Sequence, residues 1–142
     1  MNQNQPDPKT LLLINNYHYR RGGADAVYLE HDALFKGAGW NTASFSMHHP
    51  KNIDSEFSEY FVDEIEFGQN YGMVDKLRMA GKIIYSKEAR KKMARLIDKV
   101  SPDVAHIHNV HHHISPSVLP LLNERGIPVA LTAHDLKLLC PA

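Results

Sequence analysis

Four short apolar runs divide the chain, and between them hydrophobic residues recur at helical spacing. The runs predict strands at 11–14, 40–47, 103–108 and 127–132. Short apolar runs bounded by turn residues are typical of buried strands in a parallel sheet. Strands that alternate with helices indicate βαβ units, so we expect a mostly parallel sheet.

The spacing of apolar residues predicts three helices. The second spans 87–100 with Ser86 as its N-cap. The third has Ser115 as its cap and Pro116 at its first position, and it ends at Gly126. The first begins at Ala24 and ends at the glycines of positions 37 and 39. Its sheet-facing stripe is predicted to contain Ala24, Val27, Tyr28, His31, Leu34, Phe35 and Ala38, with Asp32 and Lys36 on the other face.

The pattern is weakest between 48 and 86. This segment begins with His48-His49-Pro50, which ends the second strand, and it is acidic up to residue 72. A short strand is expected at 60–62, and a helical pattern resumes at Met73. The strong elements predict an α/β, Rossmann-like, doubly wound domain with helices on both faces of its sheet. Residues 1–10 form a polar lead-in that we expect to be disordered. Residues 11–142 form one domain, which we expect to be incomplete because such folds normally continue after the fourth strand.

Composition limits the classes of function. The 142 residues contain 16 Lys+Arg and 16 Asp+Glu, so no global field attracts nucleic acid. The single Cys140 excludes an intramolecular disulfide and fits a reducing compartment. No apolar run reaches the length of a membrane span, and the amino terminus lacks a signal-peptide core. We therefore expect a cytoplasmic protein.

Positive charge is concentrated in residues 76–99, which hold most of the basic side chains of the chain. One interpretation is a solvated helix face. The other is peripheral contact with an anionic membrane or a lipid-linked phosphate.

Three loops, at 15–23, 108–115 and 133–141, follow strands of the predicted sheet. The carboxyl ends of parallel strands meet at one edge, where ligands bind in open α/β sheets. The imidazole, amide and cationic groups of these loops suit a hydroxyl-rich or phosphorylated ligand. The polar residues are His18, Arg20, Arg21, His108, Asn109, His111, His112, His113, His134, Asp135 and Lys137.

Gly22 and Gly23 precede the first helix. Without Cβ atoms their amides can approach a ligand closely, and the positive end of the helix favours an anion such as a phosphate. A tight turn is the alternative explanation. Arg20 and Arg21 favour anion binding, because guanidinium groups pair well with phosphate and carboxylate.

The histidines also suggest a metal site. His106 and His108 share one face of a strand, three more histidines follow at 111–113, and Asp135 offers a carboxylate. Zinc needs three or four convergent ligands. However, three adjacent histidines cannot all point at one ion, and the second carboxylate of a metallohydrolase is missing. Structural roles are therefore expected for His31, His48, His49 and His106, and His134-Asp135 can also be read as a strand end and a turn cap.

The blocks His-Ile-His-Asn at 106–109, Thr-Ala-His-Asp at 132–135 and Leu-Leu-Cys-Pro at 138–141 occur in this order after Gly22-Gly23-Ala24. Together they resemble family 4 retaining glycosyltransferases of the GT-B fold. The resemblance spans about 11–141 and is weakest at 48–86. It implies a two-domain enzyme that transfers a sugar from a nucleotide-sugar to a glycan or glycolipid without a metal cofactor. This chain would be the acceptor-side domain, inactive without the nucleotide-sugar domain.

By this resemblance, Gly22 and Gly23 approach the donor diphosphate, and His134 is the catalytic residue beside the transferred sugar. The acceptor and sugar side is assigned to Arg20, Arg21, Asn109, His112, His113, Asp135 and Lys137.

Two other functions stay open. One is a flavodoxin-like binding module without chemistry, and the other is a His-rich metal-dependent hydrolase. A truncated sheet would leave an apolar edge uncovered, which predicts self-association.

Overall fold

The computed structural model describes residues 7–63, 81, 86–111 and 113–134. In this part of the chain one open, all-parallel sheet has the order β2-β1-β3-β4. Each of the four predicted ranges overlaps one of its strands, so the α/β class and the parallel sheet are confirmed. The strands are β1 (Thr10–Ile14), β2 (Asn41–Phe45), β3 (Val104–Ile107) and β4 (Val129–Leu131).

The first strand begins one residue earlier than predicted. The backbone N–H of Thr10 donates to Oδ2 of Asp103 at 2.7 Å. The carbonyl of Lys9 accepts from the N–H of Asn41 at 2.9 Å. The chain is therefore fixed by hydrogen bonds from Lys9 onward, which shortens the predicted lead-in. Residues 1–6 lie outside the described residues.

Helices cover both faces of the sheet. Leu12 and Ile14 of β1 belong to the larger core cluster, which also contains the buried residues of the second and third helices. Leu11 and Leu13 pack in a smaller cluster with Tyr28 of the first helix. Successive side chains of a strand point to opposite faces, so the first helix lies on one face and the other two lie opposite. The helices are α1 (Gly23–Gly37), α2 (Lys87–Val100) and α3 (Val118–Glu124).

The predicted sheet-facing stripe of α1 is only partly correct. Tyr28 is fully buried, but Leu34 is 65% exposed. The helix is turned so that Asp25 and Asp32 approach the sheet, because both carboxylates accept hydrogen bonds there. Thr42 Oγ1 donates to Asp32, which was expected on the solvent side. Tertiary hydrogen bonds, rather than the apolar stripe alone, therefore fix the rotation of this helix.

The predicted bounds and N-cap of α2 are confirmed. Ser86 is the N-cap, and its Oγ accepts from the N–H of Ala89 at 3.1 Å. Met93, Leu96 and Ile97 are buried in the larger core cluster.

Three of the six basic residues of α2 have acidic partners. Lys92 contacts Glu88 at 2.9 Å, and Arg90 contacts Glu124 of α3. Lys99 lies 3.7 Å from Glu59. Exposed pairs of this kind contribute little stability, but they favour a structural role for the described part of the basic stretch. Residues 76–80 and 82–85 lie outside the described residues.

The third helix begins later than predicted. Ser115 has a φ of 73° and lies outside the helix, which begins at Val118. Pro120 supplies the reason, because a proline ring collides with the carbonyl four residues earlier, here that of Pro116. The N–H of Leu119 bonds to that carbonyl at 3.0 Å, which forms a separate turn before α3.

The strand expected at 60–62 is reduced to one parallel bridge between Met47 and Val62. A 3-10 turn at Ser58–Tyr60 precedes it. The helical pattern predicted from Met73 lies outside the described residues except for Gly81, which is helical. Among the helices that the structure describes, none combines the length and the apolar character needed to cross a bilayer.

Candidate functional site

The described residues of the loops after β1, β3 and β4 are joined at one edge of the sheet, which we call the rim. The N–H of Asn16 donates to the carbonyl of Asn109 at 2.7 Å, and the N–H of Asn109 donates to Oδ1 of Asn15 at 3.1 Å. The N–H of Thr132 donates to the carbonyl of Ile107 at 2.9 Å. Because β3 lies between β1 and β4, the ends of those two strands are about 10 Å apart.

A buried carboxylate holds the glycine loop. Asp25 is 5% exposed, and its Oδ1 accepts from Nδ2 of Asn15 at 2.8 Å. Its Oδ2 accepts from the N–H of Gly22 at 3.1 Å. The carboxylate lies in the first turn of α1, where the helix dipole stabilises negative charge. Sequence reasoning missed Asp25, although an acidic residue three positions after the N-cap is a recognisable signal.

The two glycines leave open space at the rim. Gly22 has an extended backbone that any residue adopts, and a Cβ there would lie 3.8 Å from Asp25, an ordinary contact. A Cβ at Gly23 would meet nothing within 4 Å. The described fold thus does not itself require glycine at either position, which leaves close approach of a ligand as a reason for them. Because the N–H of Gly22 already donates to Asp25, Gly22 would offer a ligand space but no hydrogen-bond donor.

The two arginines of the loop differ in their surroundings. The guanidinium of Arg21 lies 4.4 Å from the ring centroid of Tyr17. Arg20 pairs with Glu30 at 3.0 Å, and both side chains are about two-thirds exposed. The hydroxyl of Tyr17 is 3.2 Å from Nε2 of His113, which is buried. His113 is therefore covered from solvent in this structure, whereas both arginines are exposed.

His134 is held at the rim by a second imidazole. Its Nε2 lies 2.8 Å from Nδ1 of His108, and the two rings are stacked. Burial, followed by the neighbouring imidazoles of His106 and His134, lowers the pKa of His108 to about 3. His108 is therefore neutral at physiological pH, so it can share one proton with His134.

Behind this pair, His31, His106 and His108 form what we call the histidine cluster. One ring nitrogen of each lies within 4.8 Å of the other two. The ring centroids are 4.4 Å apart for His106 and His108, 5.0 Å for His31 and His106, and 5.2 Å for His31 and His108. The shared face of His106 and His108 agrees with the prediction. His31 of α1 joins them, and sequence reasoning had assigned it only to packing.

Two nitrogens of the histidine cluster are buried without a hydrogen-bond partner in the part of the chain that the structure describes. They are Nδ1 of His31 and Nε2 of His108. An unpaired buried polar atom costs about 1–3 kcal/mol. His106 differs, because its Nε2 lies 2.7 Å from Oγ1 of Thr132. Burial and the nearby His31 and His134 lower the pKa of His106 as well.

His18 lies beneath the rim rather than on it. It is 5% exposed, and its Nδ1 lies 2.8 Å from the hydroxyl of Tyr28. Burial lowers the pKa of His18 and raises that of Tyr28, so both groups are neutral. They support the rim, since the ring of Tyr28 also packs edge-on against His108.

An apolar cavity of about 180 Å³ adjoins His134. It lies between the loop after β3, the start of α3 and the exposed strand β4. Three of its lining residues are substantially exposed, namely Leu119, Val129 and Leu131.

The remaining predicted site residues are His112, Asp135 and Lys137, which lie outside the described residues. The described residues thus bring Gly22, Gly23, Asn109 and His134 to one rim, with His113 buried beside them. A scan of protein-family models and a search of curated proteins found no match to this chain.

Proposed function

We propose that this chain is the acceptor-side domain of a retaining glycosyltransferase with the doubly wound GT-B fold. The enzyme acts in the cytoplasm and transfers a sugar from a nucleotide-sugar to a glycan or glycolipid. The observation that supports this proposal is the meeting of three loops at one rim, with His134 bonded to His108 at 2.8 Å. The two His-containing blocks that resemble the family begin in β3 and directly after β4, and they lead into two of these loops.

In this proposal His134 contacts the hydroxyl groups of the transferred sugar. An imidazole can both donate and accept a hydrogen bond, which suits a hydroxyl-rich ligand. Because Nε2 of His134 faces His108, we assign its Nδ1 to the sugar. His108 acts as a positioning residue, since its bond to His134 fixes the orientation of that ring.

The donor diphosphate is assigned to the glycine loop. Gly23 and Gly22 allow close approach, α1 directs its positive end there, and Arg20 and Arg21 supply charge. These groups would stabilise the leaving diphosphate electrostatically, so the transfer step itself needs no metal. The carboxylate of Asp25 contacts the amide of Gly22 and would repel a phosphate there. We therefore place the phosphate nearer Gly23 than Gly22.

The cavity beside His134 favours a glycolipid acceptor over a free glycan. Its lining is mainly apolar and includes the exposed Leu119, Val129 and Leu131. Burial of a lipid segment there would remove apolar surface from water. Self-association of the chain through the edge of β4 would cover the same residues.

Replacement of His134 tests this function. We expect His134→Ala to lower kcat about tenfold to a hundredfold, because the variant loses a hydrogen bond to the transferred sugar, which gains charge in the transition state. Turnover is measured as release of nucleoside diphosphate from UDP-, GDP- and dTDP-sugars with lipid-linked and glycan acceptors, using the protein as its gene encodes it.

The matched control is His48→Gln, which changes an exposed histidine outside the rim and should leave kcat unchanged. Full activity of His134→Ala would contradict the assigned role. Binding of nucleotide-sugars at the rim without turnover in the wild type would favour the binding module instead.

A further inference from the structure

We propose that the histidine cluster is a binding site for one divalent transition-metal ion of the Zn²⁺ type. His31 of α1 and the pair His106 and His108 of the β3 end would each contribute one ring nitrogen. The site is separate from the sugar and diphosphate contacts proposed above, and its existence does not depend on the transferase activity.

The ring nitrogens of the cluster lie near enough together for side-chain rotations to form a three-histidine zinc site. One nitrogen of each ring lies within 4.8 Å of the others. In tetrahedral zinc sites, nitrogen–zinc distances place neighbouring ligand nitrogens about 3.3 Å apart. Binding would therefore draw the nitrogens together by up to about 1.5 Å, which rotations of the side chains can supply while α1 and β3 stay packed.

The unpaired nitrogens indicate where the ion would bind. Nδ1 of His31 and Nε2 of His108 are buried, and neither has a partner among the described residues. Both atoms would gain a partner if they coordinated the same ion. Their burial without a hydrogen bond is unusual for polar groups in folded proteins, and an ion accounts for both of them.

Two other ring nitrogens of the cluster already have partners. Nδ1 of His108 faces Nε2 of His134 at 2.8 Å, and Nε2 of His106 faces Oγ1 of Thr132 at 2.7 Å. Metal-binding histidines typically donate their second N–H to such a partner, which fixes the tautomer and the ring orientation. The same arrangement links the proposed ion to His134 through a single imidazole.

The ligand set determines the class of ion. Imidazoles suit Zn²⁺, Co²⁺, Ni²⁺ and Cu²⁺, whereas Mg²⁺ and Ca²⁺ prefer oxygen ligands. Three protein ligands leave a fourth position for water. The ion would join α1 to β3 and hold His108 in the orientation that positions His134.

Metal titration of the chelator-treated chain, without a histidine tag, tests the site. We expect one equivalent of Zn²⁺ to bind and to raise the Tm, and Co²⁺ to produce visible absorption bands of low-symmetry coordination. His31→Gln should weaken Zn²⁺ binding at least a hundredfold and abolish the rise in Tm. His106→Gln should do the same, which keeps the test valid if His31→Gln fails to fold.

The controls are His48→Gln and His111→Gln, which replace histidines outside the cluster. Both should bind one equivalent of Zn²⁺ as the wild type does. Loss of binding in His111→Gln with retention in His31→Gln and His106→Gln would move the ion to the 111–113 run and overturn the proposal. Failure of the wild type to bind Zn²⁺ or Co²⁺ would also overturn it.

Discussion

Leu12→Ala should lower the free energy of unfolding by about 3–5 kcal/mol. Leu12 is fully buried in β1, which lies between β2 and β3, and it belongs to the larger core cluster. Truncation there removes buried apolar surface and leaves a cavity that a central strand cannot readily close. Chemical denaturation of the purified variant measures the change.

Leu34→Ala is the matched control, because it makes the same chemical change on a side chain that is 65% exposed. Its free energy of unfolding should stay within about 0.5 kcal/mol of the wild-type value. A loss at Leu34 as large as that at Leu12 would place Leu34 in the core. That result would contradict the rotation of α1 that turns its carboxylates toward the sheet.

Asp25→Ala should lower the free energy of unfolding by about 2–4 kcal/mol, because two hydrogen bonds to a charged acceptor are lost and one of their donors, on Asn15, is buried. The carboxylate accepts from the side chain of Asn15 and from the amide of Gly22. Its removal leaves both donors without that acceptor, and it also removes negative charge from the first turn of α1. Denaturation by urea measures the loss.

Two further variants make the Asp25 prediction specific. Asp54→Ala removes an exposed carboxylate and should change stability by less than about 0.5 kcal/mol. Asp25→Asn keeps one acceptor oxygen but places its amide donor near the donor that faced the other oxygen. Its loss of unfolding free energy should therefore lie between those of Asp25→Ala and Asp54→Ala. If Asp25→Ala were as stable as Asp54→Ala, the buried carboxylate would not hold the glycine loop.

The four strands and the parallel sheet of the α/β class followed from local pattern, because each strand is a compact apolar run between turn residues. The rotation of α1 could not be obtained in this way. Its apolar stripe includes Leu34, yet the structure turns Asp25 and Asp32 toward the sheet. Their partners are Asn15, which follows β1, and Thr42 of β2, so the deciding hydrogen bonds exist only in the folded chain.

The start of α3 was predicted incorrectly from a signal that the sequence itself contains. Ser115 and Pro116 resemble a helix start, but Pro120 excludes a helix that includes Pro116. The steric conflict of a proline with the carbonyl four residues earlier is a local rule. It outweighs the preference for proline at the first helical position.

The candidate site was predicted in part. Topology alone brings the loops of Gly22, Asn109 and His134 to one rim. The histidine cluster was not predicted, because His31 and His106 are far apart in sequence. Their contact depends on how α1 lies across the sheet. Periodicity shows only that His31 faces the sheet and that His106 lies on a face of it.

In the proposed function, the loops after β1, β3 and β4 form one ligand site. Titration of the ¹⁵N-labelled chain with UDP-glucose and GDP-mannose, followed by amide shifts, tests whether they do. We expect one of these ligands to shift the rim amides with a single shared Kd and to leave the amide of Asp54 unchanged. Shifts at the glycine loop with none at His134, or with a different Kd at His134, would show that the three loops do not form one site. The rim amides to follow are those of Gly22, Gly23, Asn109 and His134.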